Sequence, residues 1–240
     1  MATTSVEICG VWDASLDPCP PDLPLATAHV WKRNLRGSEA EVEACHALLS
    51  DEEREKASRY RVERPRTDYI FTRGTLRSQL SKYLRIPPHE ISFRYTKYGK
   101  PFLANDSDLA FNVSHSEGLA LLAFTRKRDI GVDVEKLRPQ TDALKLAERF
   151  FSVREREALR PLSGDELHTA FFRCWTRKEA YIKAKGEGLS LPLHQFDVSI
   201  DPDPAEALIA TRPDATEATR WTVRNLQTSA GYAGALAIER

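Results

Sequence analysis

Ser50-Asp51-Glu52-Glu53 and Ser152-Val153-Arg154-Glu155 carry one helix-start signature twice, 102 residues apart. A serine followed three residues later by glutamate is a capping box: the hydroxyl accepts from the helix's third amide, and the carboxylate reaches back to the serine amide. The elements that follow each box come in the same order. A long helix is expected over 66–85, stopping before Pro87-Pro88, and another over 166–185, stopping at the loop of Gly186 and Gly188. Tyr69-Ile70 and Phe171-Phe172, near the starts of these helices, are again 102 residues apart. Short strands are expected at 28–31, 91–95, 111–114, 119–124 and 130–135, then at 196–200, 221–224 and 232–238. Residue identity between the two series is negligible, so the repeat rests on pattern. It predicts an α+β fold of two similar lobes, 1–125 and 126–240, each a small antiparallel sheet packed against a long helix. The crevice between two such lobes is a natural ligand site.

The chain has 240 residues, with 35 Lys+Arg against 35 Asp+Glu, 41% hydrophobic and 29% charged. A core of this size needs no disulfide or metal staple. Zero net charge excludes a bulk polycation for nucleic acid or membranes, and the composition excludes global disorder. Cys9, Cys19, Cys45 and Cys174 show neither C-x-x-C spacing nor a zinc-finger histidine pattern. The N-terminus lacks the basic and apolar regions of a secretory signal, and the longest apolar run, 119–124, is strand-sized. The cysteines therefore read as free thiols, and the expected location is the cytoplasm.

In Ile130-Gly131-Val132-Asp133-Val134-Glu135, alternation puts the aliphatic residues on one strand face and both carboxylates on the other. Two such carboxylates repel unless a cation lies between them, and an oxygen-only set suits Mg²⁺. A solvated strand face reads the same way. In Trp175-Thr176-Arg177-Lys178-Glu179-Ala180-Tyr181-Ile182-Lys183, Glu179 and Lys183 fall one turn apart at the edge of an apolar stripe. This is either a surface i, i+4 ion pair or a desolvated pair suited to metal and phosphate.

Phe111-Asn112-Val113-Ser114-His115-Ser116 offers hydroxyl and imidazole donors at a strand tip. No G-x-S-x-G elbow accompanies it, and adjacent strand residues point to opposite faces, so the expectation is anion binding and not a Ser–His nucleophile. From Arg54 to Lys100 there are 13 Lys+Arg against 4 Asp+Glu. A polyanionic ligand, an acidic partner or a solvated surface would each account for that excess, but no nucleic-acid motif accompanies it. Arg73 shares a helical face with Tyr69, Leu76 and Leu80, where a cation needs an anion or a carboxylate beside it.

Taken together, YGKP at 98–101, FNVSHS at 111–116, IGVDVEK at 130–136, RFFSVRE at 149–155 and WTRKEAYIKAKGEGLSLPL at 175–193 resemble the Sfp-type 4′-phosphopantetheinyl transferases in order and spacing. TRGTLR at 72–77 and LSDEEREKASRYR at 49–61 extend a weaker likeness. The resemblance implies an enzyme that moves phosphopantetheine from coenzyme A to a serine of an apo acyl or peptidyl carrier protein and releases adenosine 3′,5′-bisphosphate. It also implies two similar α+β lobes with the site between them.

On this likeness Asp133, Glu135 and Glu179 hold Mg²⁺. Glu179 is the candidate general base, acting directly or through a metal-bound water, and Lys183 stabilises charge on the leaving nucleotide. Ser114, His115, Lys100 and Lys178 contact phosphates, while Lys56, Arg66 and Arg73 are candidates for the 3′-phosphate or adenine side. By the 102-residue offset Asp133 corresponds to Trp31 and Glu179 to Arg77. The first lobe would then bind the nucleotide and the second the metal.

A nucleotide phosphotransferase of another kind lacks its G-x-x-x-x-G-K-[ST] or kinase loop here. A non-catalytic coenzyme A or carrier-protein regulator would not need the Asp133, Glu135, Glu179 and Lys183 set. Carrier contact is expected in 138–153. The partners expected are coenzyme A and a carrier protein, without nucleic acid or membrane, and the chain is expected to be a monomer.

Overall fold

Ser38, Ser50 and Ser152 each close a capping box, with Glu41, Glu53 and Glu155 reaching back, and each starts a helix. The structure is a computed structural model, described over residues 5–11, 22–25 and 27–240. In chain order the elements are β1 (Ser5–Val11), β2 (Thr27–Asn34), α1 (Glu39–Ala47), α2 (Asp51–Ser58), α3 (Glu63–Leu84), β3 (Phe93–Tyr95), β4 (Pro101–Leu103), β5 (Leu109–Ser116) and β6 (Leu119–Arg126). Then come β7 (Ile130–Lys136), α4 (Ala143–Phe150), α5 (Val153–Leu159), α6 (Gly164–Lys185), β8 (Phe196–Val198), β9 (Leu208–Thr211), β10 (Trp221–Asn225) and β11 (Tyr232–Glu239).

The second series repeats the first. β2-α1-α2-α3-β3-β4-β5-β6 has its counterpart in β7-α4-α5-α6-β8-β9-β10-β11, and the sheet orders β2-β6-β5 and β7-β11-β10 match, with antiparallel neighbours throughout. β1 is an addition to the first lobe, parallel to β2 at the sheet edge. The expected α+β repeat is therefore present, with α1, α4, β1, β4 and β9 beyond the sequence reading. α3 begins three residues before the expected start, because Pro65 falls in its first turn, where a missing N–H costs no helical bond.

One expectation shifts. The long helices end in left-handed caps at Arg85 and Gly186, 101 residues apart. Within them the counterpart of Arg77 is accordingly Lys178, and Glu179 pairs with Ser78.

Each lobe has its own core, one around Phe71, Leu76 and Phe124, the other around Phe171, Tyr181 and Phe196. A third apolar cluster joins the two sheets face to face: Val30, Leu121, Ile130, Val132, Val134, Leu236 and Ile238 are all buried there. The aliphatic face of β7 thus forms the seam between lobes, and its carboxylate face turns toward α6. Cys45 and Cys174 are free and buried. Cys19 and most of the 17–24 lead lie outside the described residues, as does the Cys9 side chain. No helix among the described residues is long and apolar enough to cross a membrane.

Candidate functional site

Gly131 sets how close α6 lies to β7. A Cβ there would stand 2.1 Å from Ala180 O and 2.3 Å from Ala184 N, so only glycine admits this approach. The approach brings the i, i+4 pair Glu179 and Lys183 against the carboxylates of β7. Lys183 Nζ donates to Asp133 Oδ1 at 2.6 Å and to Ser114 Oγ at 2.9 Å, and the Ser114 hydroxyl donates to the same Oδ1 at 2.8 Å. Asp133 is 3% exposed, and its Oδ2 has no hydrogen-bond partner among the described residues.

β5 is fastened to β7 through side chains. Asn112 Oδ1, Ser114 Oγ and Ser116 Oγ accept from the amides of Val132 (2.9 Å), Val134 (3.3 Å) and Lys136 (3.2 Å), every second residue on each strand. Ser116 also donates to Glu135 Oε2 at 2.8 Å, as Arg138 does at 3.0 Å, and Arg138 in turn faces Glu117 Oε1 at 3.0 Å. The roles of Asn112, Ser116 and Arg138 escaped the sequence reading. Polar residues at 112, 114 and 116, every second position along the strand, were the available signal.

Burial and the nearby Asp133 charge hold Glu179 up at about 7; Lys183 opposes this and Glu135 adds to it. Burial, more than Asp133, also raises Glu135, against the Ser116 hydrogen bond. Crowded carboxylates of this kind accommodate a proton or a cation.

No group of three or more His, Cys, Asp or Glu side chains among the described residues is gathered closely enough to hold a metal ready-made. The donor chemistry nonetheless fits a hard cation. All donors are oxygens, and while Lys183 occupies Asp133 Oδ1, Oδ2 is buried with no partner among the described residues.

Three expected phosphate contacts have other partners. Lys178 is a correction: it is fully buried, its Nζ 2.7 Å from Glu155 Oε1 and bonded to Leu193 O (2.7 Å) and Phe196 O (2.6 Å). Its counterpart Arg77 does the same in the first lobe, pairing with Glu53 and donating to Pro88 O and Ile91 O. This cation ties the capping-box glutamate to the segment after the long helix, which leaves Lys178 no path to a phosphate.

Arg73 has protein partners as well. The carboxylate that an arginine on that face requires is Glu53, at 2.5 Å, and Arg73 also donates to Tyr95 Oη and lies over Phe93. Lys100 crosses between lobes, donating to Ala184 O at 2.8 Å and Ile130 O at 3.3 Å. Lys56 lies over the Tyr69 ring, Arg66 is exposed on the first turn of α3, and His115, on the other face of β5 from Ser114, is exposed. Five of the arginines of 54–100 are paired within the lobe, Arg54 with Asp51, Arg59 with Glu55, Arg64 with Asp68, and Arg73 and Arg77 with Glu53.

Fold and site define a two-lobed α+β protein with paired carboxylates and a lysine where β5 of the first lobe meets β7 and α6 of the second. The sequence model described as the 4′-phosphopantetheinyl transferase superfamily matches residues 129–237, and that of the 4′-phosphopantetheinyl transferase N-terminal region matches 33–127. The chain is 39% identical over 210 residues to the 4′-phosphopantetheinyl transferase HetI of Nostoc sp., covering 82% of this chain and 88% of the relative. It is 35% identical over 166 residues to the 4′-phosphopantetheinyl transferase Sfp of Bacillus subtilis, covering 69% and 73%. A phosphopantetheinyl transferase of Thraustochytrium sp. is 27% identical over 232 residues, covering 90% and 80%. The chain belongs to the 4′-phosphopantetheinyl transferase superfamily and is a transferase of that class.

Proposed function

We propose that the chain transfers the phosphopantetheine arm of coenzyme A to a serine hydroxyl of an apo acyl or peptidyl carrier protein, with the reaction centred on Asp133, Glu179 and Lys183. The carrying observation is the convergence of Lys183 and Ser114 on Asp133 Oδ1, beside a glutamate held up at about 7. The serine oxygen bonds to the phosphorus that bears the pantetheine arm, and the bond from that phosphorus to the bridging oxygen breaks. The products are holo carrier protein and adenosine 3′,5′-bisphosphate.

Glu179 is near half-ionised at neutral pH and is suited to take the serine proton. Lys183, already hydrogen-bonded to Ser114, stabilises negative charge on the departing phosphate. Asp133, Glu135 and Glu179 would hold Mg²⁺, which when bound neutralises pyrophosphate charge. Ser114 and His115 offer hydroxyl and imidazole donors to phosphate, and Lys100 adds a cation. Lys56 and Arg66 are exposed cations for the nucleotide end. Carrier contact is assigned to 138–153, where Leu144 and Val153 are apolar yet 45% and 59% exposed. The enzyme acts as a monomer in the cytoplasm.

The test is to incubate the protein with Mg²⁺, coenzyme A and an apo carrier protein and to weigh the carrier. Gain of one phosphopantetheine mass, dependent on Asp133 and Glu179, is the expected result. Coenzyme A binding with no transfer to any of a range of carriers overturns the reading in favour of a regulator.

A further inference from the structure

Glu135 differs from Asp133 in how it is held. Asp133 has a lysine and a hydroxyl on Oδ1 and no partner among the described residues on Oδ2, whereas Glu135 carries two donors, Ser116 and Arg138, on the single atom Oε2. Oε1 accepts no hydrogen bond from a described residue. A glutamate has three rotatable bonds and two equivalent oxygens, so presenting one chosen oxygen requires fixing the other. Ser116 is built to do this. It is 7% exposed, and its oxygen accepts the Lys136 amide at 3.2 Å, which fixes the position of Oγ on β7 itself. With that lone pair occupied, the hydroxyl proton is directed to Oε2 at 2.8 Å. The anchoring amide belongs to the residue next to Glu135, so Ser116 moves with the strand that carries its partner. Ser114 repeats the device one step earlier, between the Val134 amide and Asp133. Unlike Ser114, Ser116 has no hydrogen bond to Lys183.

We infer that Ser116 is a positioning residue for the cation site: it pins Glu135 Oε2 and leaves Oε1 as the metal-facing oxygen. This rests on the proposal that Glu135 is a metal ligand. Groups that orient metal ligands affect affinity about 10–100-fold when removed.

The test measures Mn²⁺ binding directly, by electron paramagnetic resonance of free Mn²⁺ in the presence of coenzyme A, together with the Mg²⁺ concentration for half-maximal transfer. Ser116→Ala is expected to weaken both about tenfold. The rate at saturating Mg²⁺ and the KM for coenzyme A should stay near those of the parent, and Ser116→Thr, which keeps the hydroxyl, should restore metal affinity. If the alanine variant does not melt cooperatively, Ser116→Cys keeps the volume with a weaker donor and should show the same direction. Parent-like Mn²⁺ affinity in a folded Ser116→Ala protein, with only its melting temperature lowered, overturns the assignment and leaves the metal reading intact. Absence of saturable Mn²⁺ binding in the parent protein overturns the metal reading and this inference with it.

Discussion

Lys178 Nζ lies 2.7 Å from Glu155 Oε1 in the core of the second lobe, where neither side chain is more than 1% exposed. Removing one partner of such a pair leaves a buried charge with no counterion, which costs about 3–5 kcal/mol. Lys178→Met should therefore lower the unfolding free energy, read from chemical denaturation, by that amount. The double variant with Glu155→Gln should recover part of it. The KM for coenzyme A in the folded fraction should not move. A large rise in KM at unchanged stability would return Lys178 to the phosphates.

Asp133→Ala and Glu179→Ala should each reduce transfer at least 100-fold, on the order of 3 kcal/mol of transition-state stabilisation, while the circular dichroism spectrum is retained. Both side chains lie between α6 and β7 and outside the apolar clusters of the two lobe cores, so their loss leaves the packing of those cores in place. Full turnover in either variant contradicts the assignment.

The elevated Glu179 titration makes a pH prediction in metal-free buffer. Below about 4.5, its ordinary value, the carboxyl is protonated in both folded and unfolded chains and has no effect. As pH rises from 4.5 to about 7 the unfolded chain ionises first, so the folded protein loses stability across that window. The loss is on the order of 3 kcal/mol. Glu179→Gln should be spared it, so its unfolding free energy, followed from pH 4 to 8, should gain on that of the parent. Parallel curves would show that Glu179 titrates normally.

Gly131→Ala should disable the enzyme from a position that contributes no functional group. The added methyl meets Ala180 O and Ala184 N of α6, and a backbone collision of this kind costs several kcal/mol, roughly 3 or more. The expected outcome is a lower melting temperature together with lost turnover, because Glu179 and Lys183 retreat from Asp133. Parent-like values for both would mean that α6 tolerates the displacement.

The repeat was legible because capping boxes and helix stops are local chemistry: Ser50, Ser152, the Pro87 stop and the Gly186 stop act within a few residues of themselves. Ser38-Glu39-Ala40-Glu41 carries the same signature and starts α1, yet only nine residues of mixed polarity follow it, too few for a periodicity to read. α4 starts at an Asp142 cap without a reaching glutamate and was likewise missed. In the site, Asp133, Glu135, Glu179 and Lys183 were visible as faces of a strand and a helix. The partners of Arg73, Lys100 and Lys178 were not. Glu53, Ala184 and Glu155 lie 20, 84 and 23 residues away in sequence, and only tertiary packing chooses them.

The side-chain fastening of β5 to β7 has a mechanical consequence. Asn112, Ser114 and Ser116 grip alternate amides, and a strand advances about 3.3 Å per residue, so the grip repeats only every 6.6 Å or so. That spacing opposes creep of the first lobe along the second. An intermediate offset sets all three side chains between amides, and a full step carries Ser114 off Asp133. Lys183 stays behind in that event, since α6 rides on β7 and not on β5. The two lobes thus behave as an indexed joint, in which the hydroxyl and the ammonium meet on one carboxylate oxygen at a single setting.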